Sequence, residues 1–377
     1  MDEILFFIFT LAISQEPILM LDLFENLPKV PEEKLHAKFK FLKDNLFREK
    51  AILSGWVEGF IDRDNKIVSE FQKSFHSSFW EFYLYAVFSE LGFEIDFSHS
   101  SPDFIITSPQ RILIEAVVSN IRDGGRAEHD RKDRDILSML VPQHLAIDFN
   151  EVLDEAIVRH STAIIKKWNK YKTDYSVLDH VTGDEPYIIS LSSYAEVNYG
   201  REFVYPMMAL LFGLYYDPMV DDYLPRTSIK KPGTDSDIPI GLFNNEVFED
   251  VSAILFSATT TLGKLTALAN SDSDSDQLNH VVNVRQISDD PSYSIKNVSP
   301  TEPEHLSDGL FLFHNPFAKN IVDKSMFGNT NIVQIFLDGD QFRFEGNQPP
   351  LFSRYNDIVK LPEEFLTKIV RVFNRAY

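Results

Sequence analysis

Two carboxylates near the first third of the chain are spaced so that they could act together. The segment SPDFIITSPQRILIEAVV reads as two β-rich runs joined at Ser108-Pro109-Gln110. With those three residues as the loop, Thr107 faces Arg111, and counting back along both strands Asp103 faces Glu115. Directly opposed side chains of an antiparallel pair have Cβ atoms about 5 Å apart, a costly separation for two like charges unless a cation neutralises them. A loop of two or four residues would instead offset the pair by one position. The surrounding ILIEAVV is apolar on both faces, so Glu115 is expected to be buried, where an unpaired carboxylate costs several kcal/mol. Hard cations such as magnesium prefer oxygen ligands and keep several waters, so two carboxylates and a substrate phosphate make a reasonable metal site.

The elements that must position this pair follow from periodicity. Residues 32–91 read as helical, with Val68, Phe71, Phe75, Phe79, Phe82 and Ala86 recurring at spacings of three and four and Gly92 as the stop. FEIDF, FIIT and RILIEAVV then form a strand and a hairpin. An irregular charged stretch with Gly124-Gly125 leads to a helix from about Glu151 to Lys172, carrying Leu153, Ile157, Ile164, Trp168 and Tyr171 on one face. PYIISLSSY reads as a fully buried strand. The order is helix, three strands, helix, strand. Beyond it come a helix at about Phe203–Leu214, an acidic loop at 217–241, a strand SAILFSA, the low-complexity SDSDSDQ, a strand LFLFH, and a hairpin at Asp338-Gly339-Asp340.

This order, with Glu81 in the first helix, Pro102-Asp103 opening the second strand and Glu115-Ala116-Val117 in the third, resembles the PD-(D/E)XK nuclease superfamily. The resemblance covers residues 77 to about 191. The string SFWEFYLYAVFSELGFEIDFSHSSPDF is also similar to a group of uncharacterised bacterial proteins within that superfamily. The resemblance implies that Asp103 and Glu115 hold a metal ion, Mg2+ or Mn2+, and that Glu81 matches the acid the first helix often contributes. Ser78 and Glu81 also have the spacing of a capping box, but the apolar period running through Phe75 and Phe79 speaks against a helix start there. Glu70 lies on the same face as Glu81 but about 16 Å away along a continuous helix, too far to share an ion.

The sequence departs from the family pattern at Val117, where a lysine is usual. In some members that charge comes from the following helix, which here offers Lys166, Lys167 and Lys170. With Ile157 at the centre of the apolar face, Lys166 points away from the core, Lys170 is also well away, and Lys167 lies on the flank, so Lys167 is the candidate. The alternative is that all three are a solvated basic helix end. Arg122 and Arg126, in the loop after the third strand, are candidates for phosphate contact, although the interleaved Asp123, Glu128 and Asp130 give that run the pattern of solvated surface.

Composition bounds the rest. The 377 residues hold no cysteine, 57 acidic and 36 basic side chains, a net charge of -21, and 44% hydrophobic residues. These figures exclude a disulfide scaffold, a thiolate zinc site and a cysteine nucleophile, and they support a large core. No HExxH, GxxxxGK[ST], GxGxxG or GxSxG is present, so no nucleotide cofactor is expected. The apolar run at 4–13 follows Asp2 and Glu3 rather than a basic stretch and reads as a buried helix or strand; no membrane span and a cytoplasmic setting are expected. With acidity on both halves, contact with nucleic acid should be short, metal-bridged and salt-sensitive.

The expected fold is α/β: a mixed central sheet flanked by helices, with a helical extension at 1–76, a restriction-endonuclease-like core at 77–195 and an α+β extension at 196–377. The expected activity is a divalent-metal-dependent nuclease acting on DNA. The alternative is a non-cleaving protein of the same fold that binds nucleic acid or a protein partner, with Val117 as its motive. An unrelated mixed fold would follow if Asp103 and Glu115 pointed to opposite faces. The C-terminal half is left to extend the sheet, recognise the target or mediate self-association, so an oligomer is compatible with the sequence.

Overall fold

The computed structural model describes residues 21–126, 128–132, 135, 138–195, 199–273, 279–286, 293–339 and 341–373. Four helices come first: α1 (Ala37–Asn45), α2 (Phe47–Trp56), α3 (Ile67–Ser74) and α4 (His76–Glu90). Strands β1 (Glu94–Ile95), β2 (Phe104–Ser108) and β3 (Ile112–Asn120) precede α5 (Phe149–Lys170) and β4 (Tyr187–Tyr194). After α6 (Tyr205–Phe212), two small hairpins pair β5 (Leu214–Asp217) with β6 (Asp222–Pro225) and β7 (Ser228–Lys230) with β8 (Asp237–Pro239). Then follow β9 (Ala253–Ser257), α7 (Leu262–Asp272), β10 (His280–Gln286), β11 (Tyr293–Asn297) and β12 (Phe311–His314). The last elements are β13 (Val333–Asp338), β14 (Gln341–Glu345), β15 (Leu351–Asp357) and α8 (Glu363–Phe373). Among the described residues no helix is long and apolar enough to cross a membrane.

The centre is one mixed sheet of eight strands in the order β1-β2-β3-β4-β9-β12-β13-β14. β3, β4 and β9 run parallel, while β2 meets β3 and β12 meets β9 antiparallel. Parallel strands with helices on both sides are buried on both faces, and every residue of β4 is buried. On one face α4 packs Phe79 and Trp80 against the layer of Ile114, Ile188, Leu255 and Leu312. On the other, Leu153, Ile157 and Ile164 of α5 cover Leu113, Ile189, Leu191 and Ile254. β10, β11 and β15 form a separate three-stranded sheet.

The expected elements of the first half are present, and α4 ends at Glu90 with Gly92 at φ +70° beyond it. Three expectations are corrected. The run from Val68 to Ala86 is not one helix: Phe75 takes a φ of +57° and separates α3 from α4. The apolar period survives this break because the Phe75 ring sits 5.1 Å from Phe71 and 5.2 Å from Phe79, so stacked rings hold a backbone conformation that side-chain-bearing residues rarely adopt. The 217–241 stretch is not a plain loop but contains most of the two small hairpins. SDSDSDQ begins inside α7, which ends at Asp272, and its later residues lie outside those described, as does the apolar run at 4–13. α7, β10, β11, β15 and α8 were not foreseen.

Two long polar anchors fix α4. Trp80 Nε1 donates to the Ser190 carbonyl at 3.0 Å, and the Tyr83 hydroxyl to the Leu306 carbonyl at 2.6 Å, both in the buried interior. Phe79→Ala removes a fully buried ring from the stack that spans the break, and should lower the free energy of unfolding by about 3–5 kcal/mol, measured by denaturant titration.

Candidate functional site

The β2–β3 ladder pairs Phe104 with Ile114, Ile105 with Leu113 and Ile106 with Ile112. This is the register expected from a three-residue loop. Asp103 therefore stands one step before the ladder, across from Glu115, and both belong to the face that carries Ile105, Leu113 and α5. The Asp103 side chain folds onto the neighbouring strand, where Oδ2 accepts the Ala116 N–H at 2.7 Å. Its backbone is clamped from the helical side: Arg63 donates to the carbonyls of Asp103 at 2.9 Å, Pro102 at 3.3 Å and His99 at 2.5 Å. From the far side, the His180 ring nitrogen Nε2 lies 2.8 Å from the Ser101 carbonyl.

Glu115 is 0% exposed, as its apolar surroundings imply. Its compensation comes entirely from α5 and the turn that continues it. Lys167 Nζ lies 2.5 Å and Lys170 Nζ 3.1 Å from Oε1, and the Tyr175 hydroxyl donates to Oε2 at 2.7 Å. Tyr175 reaches it because α5 ends in a π-helical turn, Tyr171–Tyr175, whose wider winding keeps the chain over the sheet. The position held by Val117 is partly buried apolar surface against the α5 layer. Positive charge at Glu115 thus comes from the helix and not from the strand.

Glu81 enters from α4 and completes the group. Burial of its carboxyl raises its pKa to about 8, with the Asp103 charge the next cause and Glu70 the third, while Arg63 and Lys167 oppose the shift. Asp103 is raised to about 6 by burial and then by Glu115, with Lys167 and the Ala116 N–H acting the other way. Both acids are thus held above the ordinary carboxylate range, first by burial and next by a neighbouring carboxylate. The separation of about 16 Å assumed one unbroken helix, and the break at Phe75 removes that assumption, since Glu70 and Glu81 stand on different helices.

Four of the anticipated residues, Glu81, Asp103, Glu115 and Lys167, converge. Arg122 and Arg126 do not join them. They lie past the end of β3, paired with Glu155 at 3.9 Å and Asp135 at 2.8 Å, and line a separate cavity of about 610 Å³ with Asp148, Glu151 and Arg201. Lys170, Tyr175 and Arg63 were missed. Lys170 was set aside on a helical projection of Cα directions, but the aliphatic stem of lysine carries its ammonium well around the helix surface. Tyr175 continues the four-residue step from Lys167 through Tyr171, a signal masked by ending the helix at Lys172. His314, at the end of β12, is buried with Nε2 3.0 Å from Gln334 Oε1.

The donor set consists of carboxylates, which suits a hard cation, and the raised pKa values of Glu81 and Asp103 mark where positive charge is lacking. The geometry is less complete: among the described residues no three side chains of His, Cys, Asp or Glu stand close enough to hold one ion. Glu115 has both oxygens engaged, leaving Glu81 and Asp103 as the acids whose charge is uncompensated. No family model, curated protein or solved structure matches the chain.

An acid whose pKa rises on folding binds its proton more tightly in the folded chain, so stability is lost as pH climbs above the ordinary value. For Glu81 that window runs from 4.5 to about 8. Glu81→Gln should therefore gain up to about 5 kcal/mol of stability over the parent at pH 8 and little at pH 4, measured by thermal unfolding without added metal.

Proposed function

We propose that the chain is a divalent-cation-dependent nuclease of the PD-(D/E)XK type, hydrolysing phosphodiester bonds in DNA on a restriction-endonuclease-like core. The observation that carries this reading is the convergence of Glu81, Asp103 and Glu115 with two lysines from the helix that follows the third strand. A structural ion pair needs one cation per carboxylate. Here one carboxylate has two lysines and a tyrosine, and two further acids, Glu81 and Asp103, have pKa values raised by burial and by a neighbouring carboxylate.

Glu81 and Asp103 are the acids that would meet Mg2+ or Mn2+; because no three such side chains stand close enough among the described residues to hold one ion, Glu115 would complete the set only by giving up a lysine or the Tyr175 hydroxyl. When bound, such an ion lowers the pKa of a water ligand and offsets charge developing on a phosphate. The chain's own groups account for the rest. Lys167, with 18% of its side chain exposed, presents its ammonium to both Glu115 and the solvent side, where it can hold an attacking water or a phosphate oxygen. Lys170, 40% exposed, supplies a second charge at the same oxygen of Glu115. Tyr175 fixes the orientation of the Glu115 carboxyl through its other oxygen. A bound cation would compete with protons on Glu81 and Asp103, so affinity should rise with pH through the range from about 6 to about 8.

The engagement of both Glu115 oxygens favours a second reading, in which the same fold binds nucleic acid or a protein partner without cleaving. Plasmid DNA with Mg2+ or Mn2+ separates the two. The nuclease reading expects nicking or linearisation that falls at least about 100-fold in Asp103→Asn and Glu115→Gln. Lys167→Ala alone should retain part of the activity because Lys170 shares the oxygen, and the double lysine variant should lose about 100-fold or more. Cleavage unchanged in Asp103→Asn defeats the assignment; a calorimetric titration with no Asp103-dependent cation binding, together with no cleavage, establishes the non-cleaving form.

A further inference from the structure

A second cavity lies on the α5 side of the sheet, with none of the site residues in its lining. It encloses about 380 Å³ where four parts of the C-terminal half meet: the start of α6, the β5–β6 hairpin, the β10–β11 ribbon and the segment joining β14 to β15. Its walls are aromatic. Tyr205, Tyr216 and Tyr223 cluster with ring centroids 4.7, 5.3 and 6.3 Å apart, and Tyr216 and Tyr223 meet nearly edge to face at 71°. Phe203 stands beside Tyr205 at 5.8 Å and Phe311 at 5.4 Å, while Tyr293 and the half-exposed Phe344 close the remaining sides.

Among the described residues that line this box Asp221 carries the formal charge, and His144, which also lines it, is held below its ordinary range by burial with Asp221 opposing the shift. Asp221 sits at the tip of the β5–β6 hairpin with φ +52°, a conformation Asp tolerates better than most residues, and its carboxylate accepts the Tyr216 hydroxyl. Burial, and next the Asp221 charge, hold the Tyr293 hydroxyl above its ordinary range, which places that carboxylate within electrostatic reach across the cavity. No lysine or arginine is among the described lining residues.

We propose that this cavity is a binding site for an organic cation carrying an alkylated ammonium group, held by the faces of Tyr205, Tyr216, Tyr223 and Tyr293 and countered by Asp221. Aromatic faces attract cations through the ring quadrupole, most strongly where water is excluded, and alkylation matches the apolar walls while keeping the charge. A nucleotide is the other flat or apolar guest of suitable size, but its phosphate would meet Asp221 with no lysine or arginine among the described lining residues to offset it and with His144 held towards its neutral form by burial. The net charge of -21 also favours approach of a cation. This site is independent of the nuclease reading.

Titration of the full chain by calorimetry at matched salt tests it, with choline, its uncharged isostere in which carbon replaces the quaternary nitrogen, and adenosine as probes. Choline should bind, the neutral isostere about tenfold more weakly, and adenosine more weakly still. Asp221→Asn and Tyr223→Leu should each weaken choline several-fold, whereas Glu115→Gln should leave it unchanged. Phe344→Ala, at an exposed rim position, gives a second reading of the same wall if Tyr223→Leu fails to fold. Equal affinity for choline and its neutral isostere, preference for adenosine, or no binding of choline overturns the proposal.

Discussion

A carboxylate with no exposed surface, set in the middle of an apolar strand, governs the arrangement of this protein around its sheet. Removing one ionised group from water costs several kcal/mol unless its partners supply both charge and hydrogen bonds. Glu115 obtains them from a single neighbouring element, and that requirement fixes α5 along the sheet. Lys167, Lys170 and Tyr175 reach the same carboxyl only if the helix runs over β3 at one height and continues into the wider turn at its end. The parallel pairing of β3 with β4, directly after this turn, follows from the same placement.

The neighbouring acids have the opposite electrostatic character. Glu115 is over-supplied with donors, whereas Glu81 and Asp103 are pushed towards their protonated forms by burial and by neighbouring carboxylates. One small region thus holds a saturated anion beside an unsaturated pair, an asymmetry that a purely structural cluster does not require. It is what a site needs if charge is to arrive from outside, because a fully neutralised set of side chains would offer nothing to an incoming cation or phosphate.

The hairpin register was legible because it depends on local quantities, a loop length and a period of two, and those placed Asp103 opposite Glu115. The burial of Glu115 was legible from its apolar neighbours. Lys167 followed from helical projection, but Lys170 and Tyr175 did not, since one depends on side-chain reach and the other on a change of helical winding that no residue type announces. The break at Phe75 was hidden by the regularity that makes it tolerable: the rings keep their three- and four-residue spacing across it, so the pattern of a continuous helix persists where the backbone has turned. The second half was read less well. Its short strands derive their identity from pairing with distant segments, such as β10 with β15, rather than from their own composition.

The eight-stranded sheet has a bearing on how the chain could be divided. A fragment ending at residue 195 would leave β4 with a bare edge where β9 now pairs with it, and that edge belongs to a strand whose residues are buried on both faces. Such an edge is a template for self-association. A fragment beginning at α4 would in turn lose Arg63 and with it the clamp on the loop before β2. The smallest autonomous piece able to present Asp103 correctly therefore extends well past the boundaries suggested by the helix, three-strand, helix, strand pattern, and limited proteolysis within those boundaries would release aggregating rather than soluble fragments.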